Sequence, residues 1–244
     1  MGVWSKTMRK LSVMVGIIGM MMTVSLTARA AGVKGAVRFK GKAPKASKIP
    51  ITKDNAVCGE GQRIVDEVRV KNGLLEDVAV FVHGKIDGAP PSTNGSKAFE
   101  ILQKGCRFNP FVSGIPKGSK LKIVNGDPVA HNIHAYELIG RARRDLFNFQ
   151  QPHEGHTKEK KMKVRRGDIV QLQCDIHDFM RGWIIVPQNP FVTVAKDGKY
   201  DLTGIPPGEH TIKAFHPVLG VLEKKVTLKD GADETLDFEF TAKK

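Results

Sequence analysis

Cysteine is scarce in this sequence. Three residues, Cys58, Cys106 and Cys174, stand in a chain of 244, too few for a fold stapled mainly by disulfides. Aromatic residues make up 7%, most of them Phe, and they do not interleave with the basic residues as in a platform that stacks single-stranded bases. Nucleic acid is therefore not the partner that the charge indicates. Beyond the extreme N-terminus no apolar run approaches the roughly 20 residues of a membrane-spanning helix. Common catalytic signatures are missing too. There is no Ser/His/Asp order in a strand–turn–helix context, no glycine-rich phosphate loop and no C-x-x-C. His153-Glu154-Gly155-His156 is not H-E-x-x-H and reads as an exposed loop rather than an accessory metal site. What remains is a chain of one or two globular domains with no sign of an enzyme.

Acidic residues are also few, 25 Asp and Glu against 39 Lys and Arg, for a formal charge of +14. Part of that excess belongs to a targeting pattern. Lys6, Arg9 and Lys10 precede the apolar residues 11–22, and Ala28-Arg29-Ala30 follows, the layout of a secretory signal cleaved after Ala30. An uncleaved membrane anchor is the alternative. Loss of residues 1–30 removes four basic residues and no acidic one, taking +14 to +10. The exported chain, in the periplasm or otherwise outside the cytoplasm, would still attract an acidic redox protein or an anionic membrane surface. Six of the eight methionines leave with the signal, and only Met162 and Met180 remain.

Short runs rich in Val, Ile and Phe recur between Gly/Pro turns at residues 33–39, 64–70, 78–82, 120–124, 131–136, 168–174 and 183–186. That spacing predicts an all-β sandwich or barrel. One weak helix is expected over residues 141–149, and the Pro/Gly-rich residues 87–96 read as an exposed loop. A boundary is suggested at residues 187–190, followed by five strand-like runs at 191–195, 200–202, 210–215, 221–228 and 235–240 with turns at 196–199 and 205–208; these strands either form a small sandwich of their own or pack on the first domain. The expected organisation is a signal at 1–30, a first domain at 31–188 and a small β-domain at 189–244.

Chemistry concentrates in Cys174-Asp175-Ile176-His177-Asp178-Phe179-Met180. A thiolate, an imidazole and a thioether within seven residues suit a soft or borderline metal, and copper is the one that uses all three. Zinc is the rival, but its structural sites favour four strong ligands and thioether is a weak one. Alternation in Val170-x-Leu172-x-Cys174 puts the thiol on the apolar face of its strand. A second imidazole is available in Asn125-Gly126-Asp127-Pro128-Val129-Ala130-His131-Asn132-Ile133-His134. In a strand His131 shares a face with Ile133 and Ala135, and His134 lies on the other, so His131 is the inward candidate and His134 an exposed or supporting histidine.

His131-Asn132 and Cys174-x-x-His177 resemble the motif of the cupredoxin family, small blue copper proteins such as plastocyanin. The resemblance spans about residues 105–186. It implies a Greek-key β-sandwich, copper held by His131, Cys174 and His177 with Met180 axial, and one-electron transfer to a redox partner. The loop here ends H-x2-M, two residues shorter than plastocyanin's between His and Met. It is similar in that ending to the dinuclear copper loop of cytochrome oxidase, which needs two cysteines where this loop has one. On the shortened loop His134, His153 or water competes with Met180. With Cys174 taken by the motif, Cys58 and Cys106 are left as the disulfide pair. The downstream segment, with Asp197-Gly198-x-Tyr200, Ile205-Pro206-Pro207-Gly208 and Phe215-His216, is similar to a carboxypeptidase-regulatory-like β-domain, in which His216 reads as structural. Copper storage or delivery, and a purely structural sandwich with a vestigial site, are the readings from other classes.

Overall fold

The computed structural model describes residues 1–2, 29–90 and 98–242. Most of the export signal expected at 1–30 and most of the loop expected at 87–96 lie outside the described residues. Among those described, every element is a strand except the four-residue helix Asn55–Cys58, so the protein is all-β.

Two sheets enclose the first core. One runs in the order Thr157–Lys161, Lys120–Asn125, Phe99–Gln103, Phe108–Asn109, and the other in the order Ala142–Gln151, His131–Ile139, Ile169–Gln173, Arg181–Ile185, Val112–Gly114. Their alternation is visible residue by residue. Leu121 and Ile123 face inward from one sheet and Ile133, Val170, Leu172 and Ile184 from the other, all fully buried in one cluster. Burying such side chains stabilises by about 1.5–3 kcal/mol each.

A second core collects Val33, Val37, Val80, Val82, Leu202, Ile212, Ala214, Phe238 and Phe240. Its strands come from both ends of the chain. Ala31–Lys40 pairs antiparallel with Lys199–Ile205 and parallel with Phe238–Thr241, and Ala79–Val82 lies between Val192–Val194 and Gly208–His216. The cores therefore do not divide at 188/189, since strands from residues 31–82 complete the C-terminal one. The physical reason is size: a segment of some 55 residues buries a small share of its surface and is marginal by itself, whereas the composition change near Pro187 marks only covalent order. Ala79–Val82 is buried on both faces. Val80 and Val82 serve the second core, while Ala79 and Phe81 meet Val112, Ile185 and Phe215 in a seam joining the two.

Residues 141–149 are a correction to the sequence reading. They form not a helix but most of the strand Ala142–Gln151, paired with His131–Ile139 through Ile133↔Phe149 and Ala135↔Phe147. Phe147 and Phe149 recur at period two and pack against the first core, and Lys158 and Lys160 lie over their outer faces. Gly140, at φ 60°, turns the hairpin between Ile139 and Ala142, a conformation that favours glycine. The runs at 64–70 and 235–240 are each split, the first at Asp66 with φ 53° and the second where Asp237 caps the Ala36 N–H at 2.7 Å.

Candidate metal centre

Local polar bonding presents the first histidine. Asn125 ends its strand fully buried; its amide donates to the Val129 and Gln151 carbonyls at 2.9 and 3.1 Å, and its Oδ1 accepts the Asp127 N–H at 2.9 Å. This side-chain-stabilised turn delivers Asp127 and His131 together. The Cys174–Met180 loop closes on itself, Met180 N–H donating to the His177 carbonyl at 2.9 Å and Cys174 N–H to the Met180 carbonyl at 3.3 Å. Asn132 ties the two segments, its amide donating to Asp175 at 2.9 Å and its Oδ1 accepting the Asp175 N–H.

The folding brings His131, Cys174 and His177 together. Their potential ligand atoms all lie within 4.8 Å of one another, with Nδ1 of His131 3.1 Å from Nδ1 of His177 and the Cys174 sulfur 3.8 Å from the latter. All three are at most 1% exposed, as is Met180. His134 lies on the other side of its strand and is bound at Nε2 by Asp145 at 2.8 Å and at Nδ1 by Asp175 at 3.1 Å. His153 stacks edge-on against His156 in the 153–156 turn. His216 belongs to the second core's end, where its Nδ1 accepts the Val218 and Leu219 N–H groups.

Two carboxylates complete the arrangement, and the sequence reading did not assign either a role. Asp127 binds Nε2 of His131 at 2.9 Å and Asp54 binds Nε2 of His177 at 2.8 Å. Asp54 occupies the N-cap position of Asn55–Cys58, with φ 50°, yet its side chain makes no cap bond there; it reaches the histidine instead. Cys58, at the end of that helix, is disulfide-bonded to Cys106. The Cys106 N–H in turn donates to Asp127 at 2.8 Å. The disulfide thus pins both carboxylate-bearing segments beside the histidines.

Burial alone would raise the Asp127 carboxyl, but the Cys106 N–H, His131 and the Gly105 N–H hold it below the usual range. Burial pushes His131 the other way, toward its neutral form, against the pull of Asp127. A carboxylate accepting at each Nε2 favours a ring proton there, and the two Nδ1 atoms turn toward each other at 3.1 Å, where they are available to a metal ion. Burial also raises the Cys174 thiol, so a metal taken up here displaces its proton.

The spacings fit a bound metal. Bonds of about 2.0–2.1 Å to nitrogen and 2.3 Å to sulfur, at angles of roughly 100–120°, span about 3.1–3.6 Å between nitrogens and 3.3–3.8 Å from nitrogen to sulfur. Two of the three spacings, 3.1 Å between the nitrogens and 3.8 Å from the His177 nitrogen to the sulfur, fall at the ends of those ranges.

No family model matches the chain, and no curated protein matches it. Among solved structures it is similar to a purple cupredoxin from Nitrosopumilus maritimus, at 21% identity over 36% of this chain and 98% of that chain, with a TM-score of 0.31. Amicyanin from Paracoccus versutus matches at 16% identity over 46% of this chain and 98% of its own, TM-score 0.31. A copper-containing nitrite reductase from Thermus scotoductus matches at 21% identity over 43% of this chain and 27% of its own, TM-score 0.30. The chemistry of the centre rests on its own geometry.

Proposed function

We propose that this is an exported mononuclear copper protein that carries single electrons between redox partners, in which His131, Cys174, His177 and Met180 would hold the copper. The observation that carries this reading is the pair of inward-facing Nδ1 atoms at 3.1 Å, each ring held from behind by a carboxylate and flanked by a buried thiol. A donor set of two imidazoles, one cysteine and a methionine suits copper better than zinc. Copper bound there supplies a one-electron couple. The chain's own part is to fix the donors. Asp127 and Asp54 set the tautomer and ring orientation of the histidines. A buried set of two imidazoles, a thiolate and a thioether supports electron carriage over catalysis. Export rests on the N-terminal pattern, and an acidic redox protein or anionic membrane surface on the residual charge of +10.

The test is a visible spectrum of the metal-free protein after addition of Cu(II). An intense thiolate-to-copper band that bleaches and returns over repeated reduction and oxidation is the expected result. Cys174→Ser should abolish the band in a folded protein. His131→Ala should lose it and His134→Ala keep it. A protein that takes up no stoichiometric copper, or takes it up without colour, overturns the reading, and copper that is released on each reduction favours storage or delivery instead.

A further inference from the structure

A cavity of about 440 Å³ opens next to the metal centre, with Cys106, Phe179 and Met180 in its wall. Four arginines line it, and they are not equivalent. Arg69 is neutralised by Asp77 in a forked pair at 2.9 and 2.7 Å, and Arg181 by Asp66 at 2.8 Å. Arg63 has no such partner. It is 8% exposed, its hydrogen bonds go to the Cys58 and Gly105 carbonyls, and among the described residues no carboxylate lies within 4.0 Å of it. The charge that acts on it is a second guanidinium, Arg107, which forms no ion pair among the described residues either. Burial first, and Arg107 second, hold the Arg63 guanidinium below its ordinary range. Glu67, the remaining acid of the wall, is exposed and acts on Arg69.

A buried cation beside a like charge is costly unless an anion joins it. Guanidinium forks match the two oxygens of a carboxylate. Phe108, Phe111 and Phe179 give the wall an apolar part, with Arg63 lying 5.3 Å over the Phe179 ring. The volume falls within the range of small-ligand sites.

We propose that this cavity binds a carboxylate carried on an apolar body, its oxygens received by Arg63 and Arg107 and its body packed against Phe108, Phe111 and Phe179. The carboxylate has two sources, a free organic acid or a Glu/Asp side chain of an acidic redox protein seated beside the Met180 edge of the metal centre. The second extends the copper reading and rests on it; the binding step itself does not.

Metal-free protein at low salt therefore serves for the test, so that failure of the copper reading leaves it intact. Benzoate, an acetylated and amidated Glu-Phe dipeptide, and sulfate are titrated separately while backbone amide shifts are followed by NMR. Saturable shifts centred on residues 106–111 and 179 are expected for a carboxylate probe, weakened about tenfold or more in Arg107→Glu. Arg107 is exposed, so that variant should fold; Arg63→Lys is the conservative second variant and should weaken binding with the spectrum otherwise native. Tighter binding of benzoate assigns the site to a free acid, and tighter binding of the dipeptide assigns it to a partner's side chain. No saturation by either up to about 50 mM, unchanged binding in Arg107→Glu, or sulfate binding as tightly as the carboxylates overturns the proposal.

Discussion

Asp127 and Asp54 settle something the imidazoles cannot settle alone, namely which nitrogen is left free. Each accepts from Nε2, at 2.9 and 2.8 Å, and so leaves Nδ1 to the centre. Asp127→Asn replaces an ionised acceptor with a neutral amide that can also present N–H, and metal affinity should fall about 10- to 100-fold. Competition against a chromophoric chelator measures it, and an unchanged affinity would remove Asp127 from this role. His216 illustrates the opposite use of a histidine. Burial pushes it down to about 4, against the pull of Asp77, and its Nε2 has no partner in the folded chain. Its folded value is depressed below the ordinary 6.5, so the unfolded chain binds the proton first. Stability should decline as pH falls from about 6.5 toward 4, by a total of about 3 kcal/mol from this residue. Denaturant titrations at a series of pH values should show that slope in the parent and lose it in His216→Gln.

The strand His131–Ile139 carries a different device at each end. His131 begins it at the metal centre, and Glu137 lies fully buried on the same face six residues on. One Glu137 oxygen accepts the N–H groups of Arg165, Arg166 and Gly167 at 2.8, 2.7 and 2.7 Å, and the other accepts Arg144 at 2.8 Å. Burial would raise this carboxyl, but those backbone donors and Arg144 hold it below its ordinary value. The residues 165–167, which lead into the next strand of the sheet, are thereby fastened to the strand that bears His131. Glu137→Gln should destabilise the fold by about 2–4 kcal/mol near neutral pH. Because the folded value is depressed, this stabilisation is present above the unfolded carboxyl range near 4.5 and is lost as pH falls through the folded value. Parent and variant stabilities, compared by chemical denaturation, should converge in acid; a difference that stays constant down to pH 3 would show that charge is not what Glu137 contributes.

Across the whole molecule, the disulfide ties the helix Asn55–Cys58 to the segment ahead of Phe108–Asn109, both cysteines lying in the first core. Cys58 and Cys106 are 48 residues apart in sequence, and cross-linking at that separation stabilises by about 4 kcal/mol in the chain-entropy account, an upper figure. The bond has a local consequence besides. It holds the residues 54–59 against the centre, where Asp54 meets His177. The double variant Cys58→Ser/Cys106→Ser should therefore lose stability by up to about 4 kcal/mol and also release copper to a chelator faster than the parent. A variant destabilised but no faster in copper loss would confine the disulfide to a stabilising role.

The sequence by itself determined the all-β class, because period-two alternation bounded by turns is a local property of the chain. It also determined the inward face of His131: in a strand, alternation opposes it to His134, and His131 is buried while His134 pairs with Asp145 and Asp175. The C-x2-H spacing needs only one loop, and so it was readable as well. Residues 141–149 misled because Arg, Leu and Phe suit either period at that length, and pairing with His131–Ile139 decided for strand. Tertiary structure alone decided the partners of the histidines. Asp54 lies 123 residues from His177 in sequence, and no local pattern distinguishes it from an ordinary helix cap. It alone decided the division of the cores too, since backbone donors and apolar faces are satisfied by whichever strands meet in space. Here the first strand of the described chain meets the last.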